Sequence, residues 1–283
     1  MNESSLQEIM CCVGHPVAGY PAQYMMEKCF ADSGLDCRYL TLDVEPEKLG
    51  EAIRGMRAMG FRGAHFTAPH KEAVLEHVEH LTEEARVAGL ANLVYRDDEG
   101  VYVGANTNGE ALCQLLDGKL KLPGKHVVLL GAGTVARAVA VALAMAGVAE
   151  VTIVNRSDQR GQQLLDLLNE KTQVSAMFFP WTGDYEVPAE TDLLVNTTSI
   201  EALDPDARLG VVTDSMSPQT IVADFVYNPP RTRFLRAAAD RGCTTINGPQ
   251  LLVQQGVIAF KTWTGVTANA DVMREALEEF LEL

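Results

Sequence analysis

The chain has 283 residues, 47% of them hydrophobic and 22% charged, with a formal net charge of −15. That length allows two domains with substantial cores, and the mix is that of a soluble globular protein. The acidic balance argues against a nucleic-acid partner, which needs a basic footprint. No apolar run is long enough to span a membrane, and the Met1 end lacks the basic and apolar regions of a signal peptide, so a cytoplasmic protein is expected.

The first part of the chain alternates strands and helices. Met10–Val13 is a candidate strand, followed by a loop around Gly14-His15-Pro16 and a helix from about Ala22 to Ser33. Cys37–Leu42 is a second strand. Pro46–Met59 reads as a helix, because Leu49, Ile53, Met56 and Met59 recur at 3–4 spacing and mark a buried face. Arg62–Thr67 is a third strand. Lys71–Val87 is expected to be helical, with His77 and His80 exposed on it, and Val101–Gly104 closes the region. A short helix from about Asn108 to Leu116 then leads through a Gly/Pro-bearing loop (Asp117-Gly118-Lys119, Leu122-Pro123-Gly124) into the second half. The six cysteines (Cys11, Cys12, Cys29, Cys37, Cys113 and Cys243) include no C-x-x-C pair, and the C-x-x-H of Cys12 and His15 has no second ligand pair. No metal is expected, and the thiols read as reduced core residues.

Lys125–Leu143 is the most informative stretch. Four apolar residues, Val127–Leu130, suit a parallel strand covered on both faces. Gly131-Ala132-Gly133-Thr134-Val135 follows, with Ala136 where a third small residue would pack a helix on the sheet. Such a turn lets backbone N–H groups approach a pyrophosphate at a positive helix end. It is also a common way simply to join a strand to a helix. The next strand, Val151–Val154, ends in Asn155-Arg156-Ser157, where an NAD site would carry an acid for the ribose hydroxyl. Here Arg156 and, four residues on, Arg160 offer two guanidiniums suited to a 2′-phosphate, which makes NADP the expected cofactor. Two solvated surface arginines are the alternative. Leu193–Val195 and Ile221–Asp224 are further buried strands, and Gln250–Leu283 reads as two helices, the second with acids on its solvated face. The expected fold class is α/β: an N-terminal α/β domain plus a Rossmann dinucleotide-binding domain, with a cleft between them for a small molecule.

The chain resembles the shikimate/quinate dehydrogenase family over nearly its whole length. Gly63–Lys71 (GAHFTAPHK) is similar to that family's G-x-N-V-T-x-P-x-K segment, Ala88–Asn92 to its A-G-A-x-N, and Gly104–Asn108 to its G-x-N-T-D. GAGTVARA, Asn155-Arg156-Ser157, Val195–Thr198, Asp224–Pro229 and Gly248–Gln255 complete eight motifs in the family's order. The resemblance implies a substrate-binding domain over 1–107 and 250–283, an NADP-binding domain over 108–249, and hydride transfer between NADP and a ring hydroxyl or ketone of a cyclic polyol. It implies that Lys71 and Asn108 stand at the catalytic positions. Tyr20, Thr67, Asn92, Tyr227 and Gln255 stand at substrate-binding ones. Phe225 and Gly248 join Gly131, Ala132, Gly133, Thr134, Val135, Asn155, Arg156, Ser157 and Arg160 around the cofactor. From the residues alone, Lys71 is either a cleft lysine whose pKa burial lowers or a surface lysine opening a helix.

Four departures fall in the substrate half. Tyr20 and Ala22 occupy the two serine positions that bind the substrate carboxylate in the family. A carboxylate desolvated without those donors should bind poorly. His65 replaces an asparagine near the ring-binding floor, as a hydrogen-bonding substitute, a new acid–base group or a structural histidine. His70, beside Lys71, replaces an aromatic and is equally open. Asn108 replaces the aspartate that pairs with the lysine, and an amide carries no charge, so Lys71 is expected to have a lower pKa than its family counterpart. An NADP-dependent dehydrogenase acting on shikimate or a related cyclic polyol is expected, with a non-shikimate substrate or a non-catalytic NADP-binding regulatory protein as alternatives. A small cyclic polyol is the expected partner, and a homodimer is compatible with the chain.

Overall fold

Met10, Cys11, Cys12 and Val13 are completely buried at the heart of a six-stranded sheet. The structure, a computed structural model, describes residues 6–283. The chain divides into two compact units, one running up to Thr107 and resuming at Val253–Leu283, the other Asn108–Leu252. The first unit begins with β1 (Glu8–Gly14), α1 (Ala22–Asp32), β2 (Cys37–Asp43), α2 (Leu49–Ala58) and β3 (Gly63–Phe66). It continues with α3 (His70–Ala73), β4 (His80–Leu81), α4 (Glu83–Ala88), β5 (Leu93–Arg96) and β6 (Tyr102–Ala105). The strand order is β2-β1-β3-β5-β6-β4. Strand β1 runs parallel to β2 and β3, whereas β5 is antiparallel to both its neighbours.

Two local expectations fail here. Leu49, Ile53 and Met56 do form the buried face of α2, but Met59 is 67% exposed. It lies just past the helix end, where Gly60 at φ +74° turns the chain away. The helix expected over Lys71–Val87 is broken. After α3 and a 3₁₀ turn over Val74–His77, Val78 becomes extended. Glu79 N–H then donates to the Tyr102 carbonyl, and β4 pairs in parallel with Val103–Gly104 of β6. The Glu79 carboxylate accepts from Tyr102 N–H and pairs with Arg57, so tertiary partners outweigh local helix preference. His77 therefore ends a 3₁₀ turn and His80 sits on an edge strand. Thr82 starts the next helix by accepting from Ala85 N–H.

Helix α5 (Thr107–Leu116) leads into the second unit: β7 (His126–Leu130), α6 (Thr134–Met145), β8 (Glu150–Asn155), α7 (Asp158–Lys171), β9 (Ser175–Pro180), β10 (Tyr185–Glu186) and β11 (Leu193–Asn196). Then come α8 (Ile200–Leu203), β12 (Val211–Val212), β13 (Ile221–Asp224), α9 (Arg233–Asp240) and β14 (Thr244–Ile246). The six-stranded sheet is wholly parallel, in the order β14-β13-β11-β7-β8-β9. That is the Rossmann order, and its direction reverses between β7 and β11, the switch point where such sheets bind dinucleotides.

The last helices are α10 (Gly248–Thr264) and α11 (Ala270–Phe280). From Val253 onward they belong to the first unit. Trp263 Nε1 donates to the Val94 carbonyl at 3.0 Å, Arg62 Nε donates to the Trp263 carbonyl at 2.9 Å, and Phe260 stacks on Phe30. Among the described residues no helix is long and apolar enough to cross a membrane.

Candidate active site

In the first unit, chemistry-bearing side chains gather at the carboxyl ends of β1 and β3. Cys12 on β1 and His65 on β3 are register partners. Tyr39 belongs to β2, on the other side of β1, and its hydroxyl lies 2.6 Å from His65 Nδ1. Trp263 sets its ring at a steep angle to the imidazole, 4.8 Å between centroids. Burial, and then the charge of Lys71, push the His65 pKa down to about 3, so the imidazole is neutral. Burial pushes the Cys12 thiol up to about 12. Lys71, in α3, sits close enough to act on both groups, and burial of its amine lowers its own pKa. This desolvation favours the cleft lysine over the surface lysine, since an ammonium loses hydration that its neutral form needs less.

The end of β1 is shaped to receive Thr67. A Cβ on Gly14 would fall on Thr67 Oγ1, so only glycine leaves room for that hydroxyl. Thr67 N–H donates to the Val13 carbonyl and His15 N–H to that of Ala68, which lays the following loop along Thr67-Ala68. On this loop Tyr20 is half-buried and near enough to raise the Tyr39 pKa by its charge. Ala22 is buried as the first residue of α1, and Pro21 before it supplies no side-chain cap. Asn92 is buried, its Oδ1 accepting from Thr107 N–H at 2.8 Å and its Nδ2 donating to Thr107 Oγ1 at 2.9 Å. One amide hydrogen and one oxygen lone pair remain for a ligand. Asn108 is buried at the start of α5, and Gln255 is half-buried on α10. His70 is settled as structural: it is 1% exposed, with Nε2 at 2.8 Å from the Val44 carbonyl.

In the second unit the glycine turn caps the switch point. Gly131 has φ +108°, and a Cβ there would stand 2.7 Å from Thr197 Oγ1. Gly133 is the extended N-cap of α6, offers no capping side chain and has open space where a Cβ would be. The first N–H groups of α6 thus face outward beside Ala132, Thr134 and Val135, an arrangement that fits a pyrophosphate. Across the switch point, Thr197 N–H and Oγ1 both donate to the Leu130 carbonyl. Thr198 donates twice to Asn196 Oδ1, whose Nδ2 donates to the buried Asp224. Asp224 also accepts from Val226 N–H and Thr232 Oγ1, and burial raises its pKa to about 6. Asn196, Thr197, Thr198 and Asp224 escape a reading for ligand contacts, because they brace one another and the neighbouring backbone. The signal for the first three was the polar run that ends the apolar strand β11, and for Asp224 the acid that ends the apolar strand β13.

Asn155 Nδ2 donates to the Ser157 carbonyl, and Ser157 caps α7 by accepting from Arg160 N–H. Arg156 and Arg160 are both exposed at the end of β8. Phe225 N–H donates to the Asn196 carbonyl, and burial raises the pKa of half-buried Tyr227. Gly248 has a packing reason of its own: a Cβ there would fall on the Val226 carbonyl.

Residues 12–94 match the shikimate dehydrogenase substrate binding domain, 114–202 the shikimate / quinate 5-dehydrogenase family and 250–278 the shikimate 5′-dehydrogenase C-terminal domain. A shikimate dehydrogenase (NADP(+)) from Methanopyrus kandleri is 40% identical over 275 residues, 95% of this chain and 94% of that protein. Among solved structures, a ligand-free 5-ketofructose reductase of Gluconobacter sp. strain CHM43 superposes with a TM-score of 0.93 at 40% identity, covering 97% of this chain and 99% of the other. The shikimate 5-dehydrogenase of Thermus thermophilus, in complex with NADP(H) and shikimate, gives 0.83 at 33% identity, with 97% and 100% covered. With three domain matches along its length and such relatives over nearly all of it, the chain belongs to the shikimate dehydrogenase family.

Proposed function

We propose that this chain is an NADP-dependent oxidoreductase that interconverts a hydroxyl and its ketone on a polyhydroxylated substrate lacking a carboxylate. The observation that carries the substrate class is the loop from Gly14 to Ala22. Where the family binds a carboxylate through two serines, Ala22 is buried without a hydroxyl, and the Tyr20 hydroxyl lies several bonds further from the backbone. Removing donors from a site that must desolvate an anion disfavours the anion far more than a neutral polyol. The similarity to a 5-ketofructose reductase supports the same class, since 5-ketofructose is a ketose without a carboxylate.

When bound, NADP(H) supplies or accepts the hydride. Lys71 exchanges the proton with the oxygen on the reacting carbon, and its lowered pKa makes the ammonium a readier donor to a forming alkoxide. Asn108 gives a neutral hydrogen bond where the family has an anion, which leaves burial to dominate the lysine. Thr67, Asn92, Gln255, Tyr20 and Tyr227 bind and orient substrate hydroxyls. The outward N–H groups at the start of α6 hold the pyrophosphate, with Arg156 and Arg160 on the 2′-phosphate. We assign the substrate-binding domain to 1–107 and 250–283 and the NADP-binding domain to 108–249. All six cysteines are thiols, not disulfides, which supports work in a reducing compartment such as the cytoplasm.

Shikimate itself is the second reading, favoured by the relatives named shikimate dehydrogenase. Steady-state turnover with NADP(H) against shikimate, quinate and 5-ketofructose decides between the two. The proposal expects 5-ketofructose to have the higher kcat/KM. A shikimate value of about 10⁴ M⁻¹s⁻¹ or more, with 5-ketofructose inert, would overturn it.

A further inference from the structure

A wholly parallel sheet is normally covered by helices on both faces. In the second unit one face has its cover: Phe178 of β9 packs so closely on Gly161 of α7 that a Cβ there would collide with the ring. Met177 and Phe179 alternate to the other face. The connection that should cover them, residues 181–192, contains only the two-residue strand β10 and no helix. Met177 and Phe179 are left 49% and 53% exposed, and they line an open cavity of about 470 Å³ with residues of β7 and β8. Small-molecule sites have this size, roughly 300–1,000 Å³. The cavity includes His126 and Glu150, the first residues of β7 and β8, whereas the glycine turn follows the last residue of β7.

The lining has three kinds of surface. Met177, Phe179 and the Tyr185 ring are apolar, the two rings meeting edge to face at 5.4 Å. Tyr185 and Thr191 are only 6% and 5% exposed, yet neither hydroxyl makes a hydrogen bond among the described residues, and neither oxygen is sealed from solvent. A buried hydroxyl is normally paired, so both are placed to serve a ligand in the cavity they line. Carboxylates form the third surface. Asp184 is paired with Arg208, but Glu150, Glu186 and Glu190 have no ion pair among the described residues, and no lysine or arginine lines the cavity. Burial, then the charges of Glu190 and Glu150, raise the Tyr185 pKa, which sets those two carboxylates near its hydroxyl.

We propose that this cavity is a binding site for a small organic cation, an ammonium group on an aromatic body. The body lies on Met177 and Phe179, the ammonium faces Glu150 and Glu190, and the Tyr185 and Thr191 oxygens accept its hydrogens. A free amino acid is disfavoured, because its carboxylate would meet the same acids. So is a second copy of this chain, which would set acid against acid on a protein of net charge −15.

Isothermal titration calorimetry of the full chain, with and without saturating NADPH, uses three indole probes that differ only in the terminal group: tryptamine, tryptophol and indole-3-propionate. Tryptamine is expected to bind one to one with a Kd of about 1 mM or tighter, and the alcohol and the acid at least about fivefold more weakly. NADPH should leave tryptamine binding unchanged. Phe179→Ala and the double variant Glu150→Gln/Glu190→Gln are each expected to weaken tryptamine about five- to tenfold while NADPH affinity stays as it was. The Met177 methyl signal, assigned in ¹³C spectra with Met177→Leu, should move on titration. No binding, equal binding of the three probes, or unchanged affinity in both variants overturns the proposal. Displacement of tryptamine by NADPH also overturns it, by placing the cation in the cofactor site. A dimer in sedimentation that Phe179→Ser abolishes would give the face to a second copy and overturn it too. The titration without NADPH keeps the result independent of the cofactor assignment.

Discussion

Gly131 follows β7 and Thr67 follows β3, each at the carboxyl end of a strand inside its sheet, yet the two ends work by different means. At the first, the groups that would meet a phosphate are backbone N–H donors, and side chains such as Thr197 and Asn196 brace the loops around them. At the second, the groups proposed to meet a substrate are themselves side chains, among them Lys71, Thr67, Asn92 and Tyr20. A backbone site tolerates little change, because a Cβ at Gly131 would collide with Thr197 and oppose a φ of +108°. A side-chain site can exchange one residue at a time on an unaltered strand, as His65 shows by keeping its register with Cys12. The same family frame can therefore hold one cofactor while its substrate changes.

Replacing Lys71 gives the sharpest break. Lys71→Ala is expected to lower kcat on the order of 10²- to 10⁴-fold, the usual worth of a positioned acid–base group, while NADPH affinity stays as it was. Fluorescence titration of NADPH beside steady-state rates checks both halves; turnover within tenfold of the unmodified protein would move the chemistry elsewhere on the β3 end. For ketone reduction the ammonium is the active form. The rate should fall as pH rises through a lysine pKa below the ordinary 10.5.

Asp224 supplies the next effect, in the cofactor unit and on stability. Burial outweighs its three hydrogen bonds and lifts its pKa from 3.8 to about 6, so between those values the folded chain holds a proton that the unfolded chain has released. Its contribution is thus most favourable below the unfolded pKa and is lost as pH rises through the folded one. Against Asp224→Asn, which cannot titrate, the unmodified protein should lose on the order of 1 to 3 kcal/mol between about pH 4 and about pH 7. Urea denaturation of both proteins at the two pH values measures this. A stability difference that does not vary with pH would mean that the carboxyl is already ionised at the lower value.

Much of this frame was legible in the residues. The buried run Val127–Leu130 and the glycines after it announced the parallel sheet, because an apolar strand flanked by a backbone turn has few other uses. The register that brings Tyr39 to His65 was not legible, since it depends on β2 and β3 flanking β1 and no local pattern encodes strand order. Lys71–Val87 misled for a related reason: it was read as one helix, but Glu79 finds Tyr102 and Arg57, each more than twenty residues away in the chain. Strand β5 was missed as well, although β3, β11 and β13 are equally short and were read as strands. The substitutions at Tyr20, Ala22, His65 and Asn108 could be seen in the sequence as departures. Which of them bear on chemistry became visible only in space, where His70 turns out to tie down Val44 while His65 faces Lys71's surroundings.

The smallest effect tests the half held to be unchanged. Arg156 and Arg160 stand at the end of β8 with no acid at the strand end, so NADPH should bind at least about tenfold more tightly than NADH, or about 1.4 kcal/mol. Arg156→Ala should remove most of that preference and leave NADH affinity alone, because the guanidinium has nothing to pair with on a ribose hydroxyl. Both arginines are exposed, which keeps the effect modest: water competes for the phosphate and salt screens it. The preference should accordingly shrink as ionic strength rises, whereas an effect of shape or packing would not. Calorimetric titration of both cofactors at low and high salt separates these. Equal affinities in the unmodified protein would show two solvated surface arginines, and the contrast between a kept cofactor unit and an altered substrate unit would fail on its supposedly constant side.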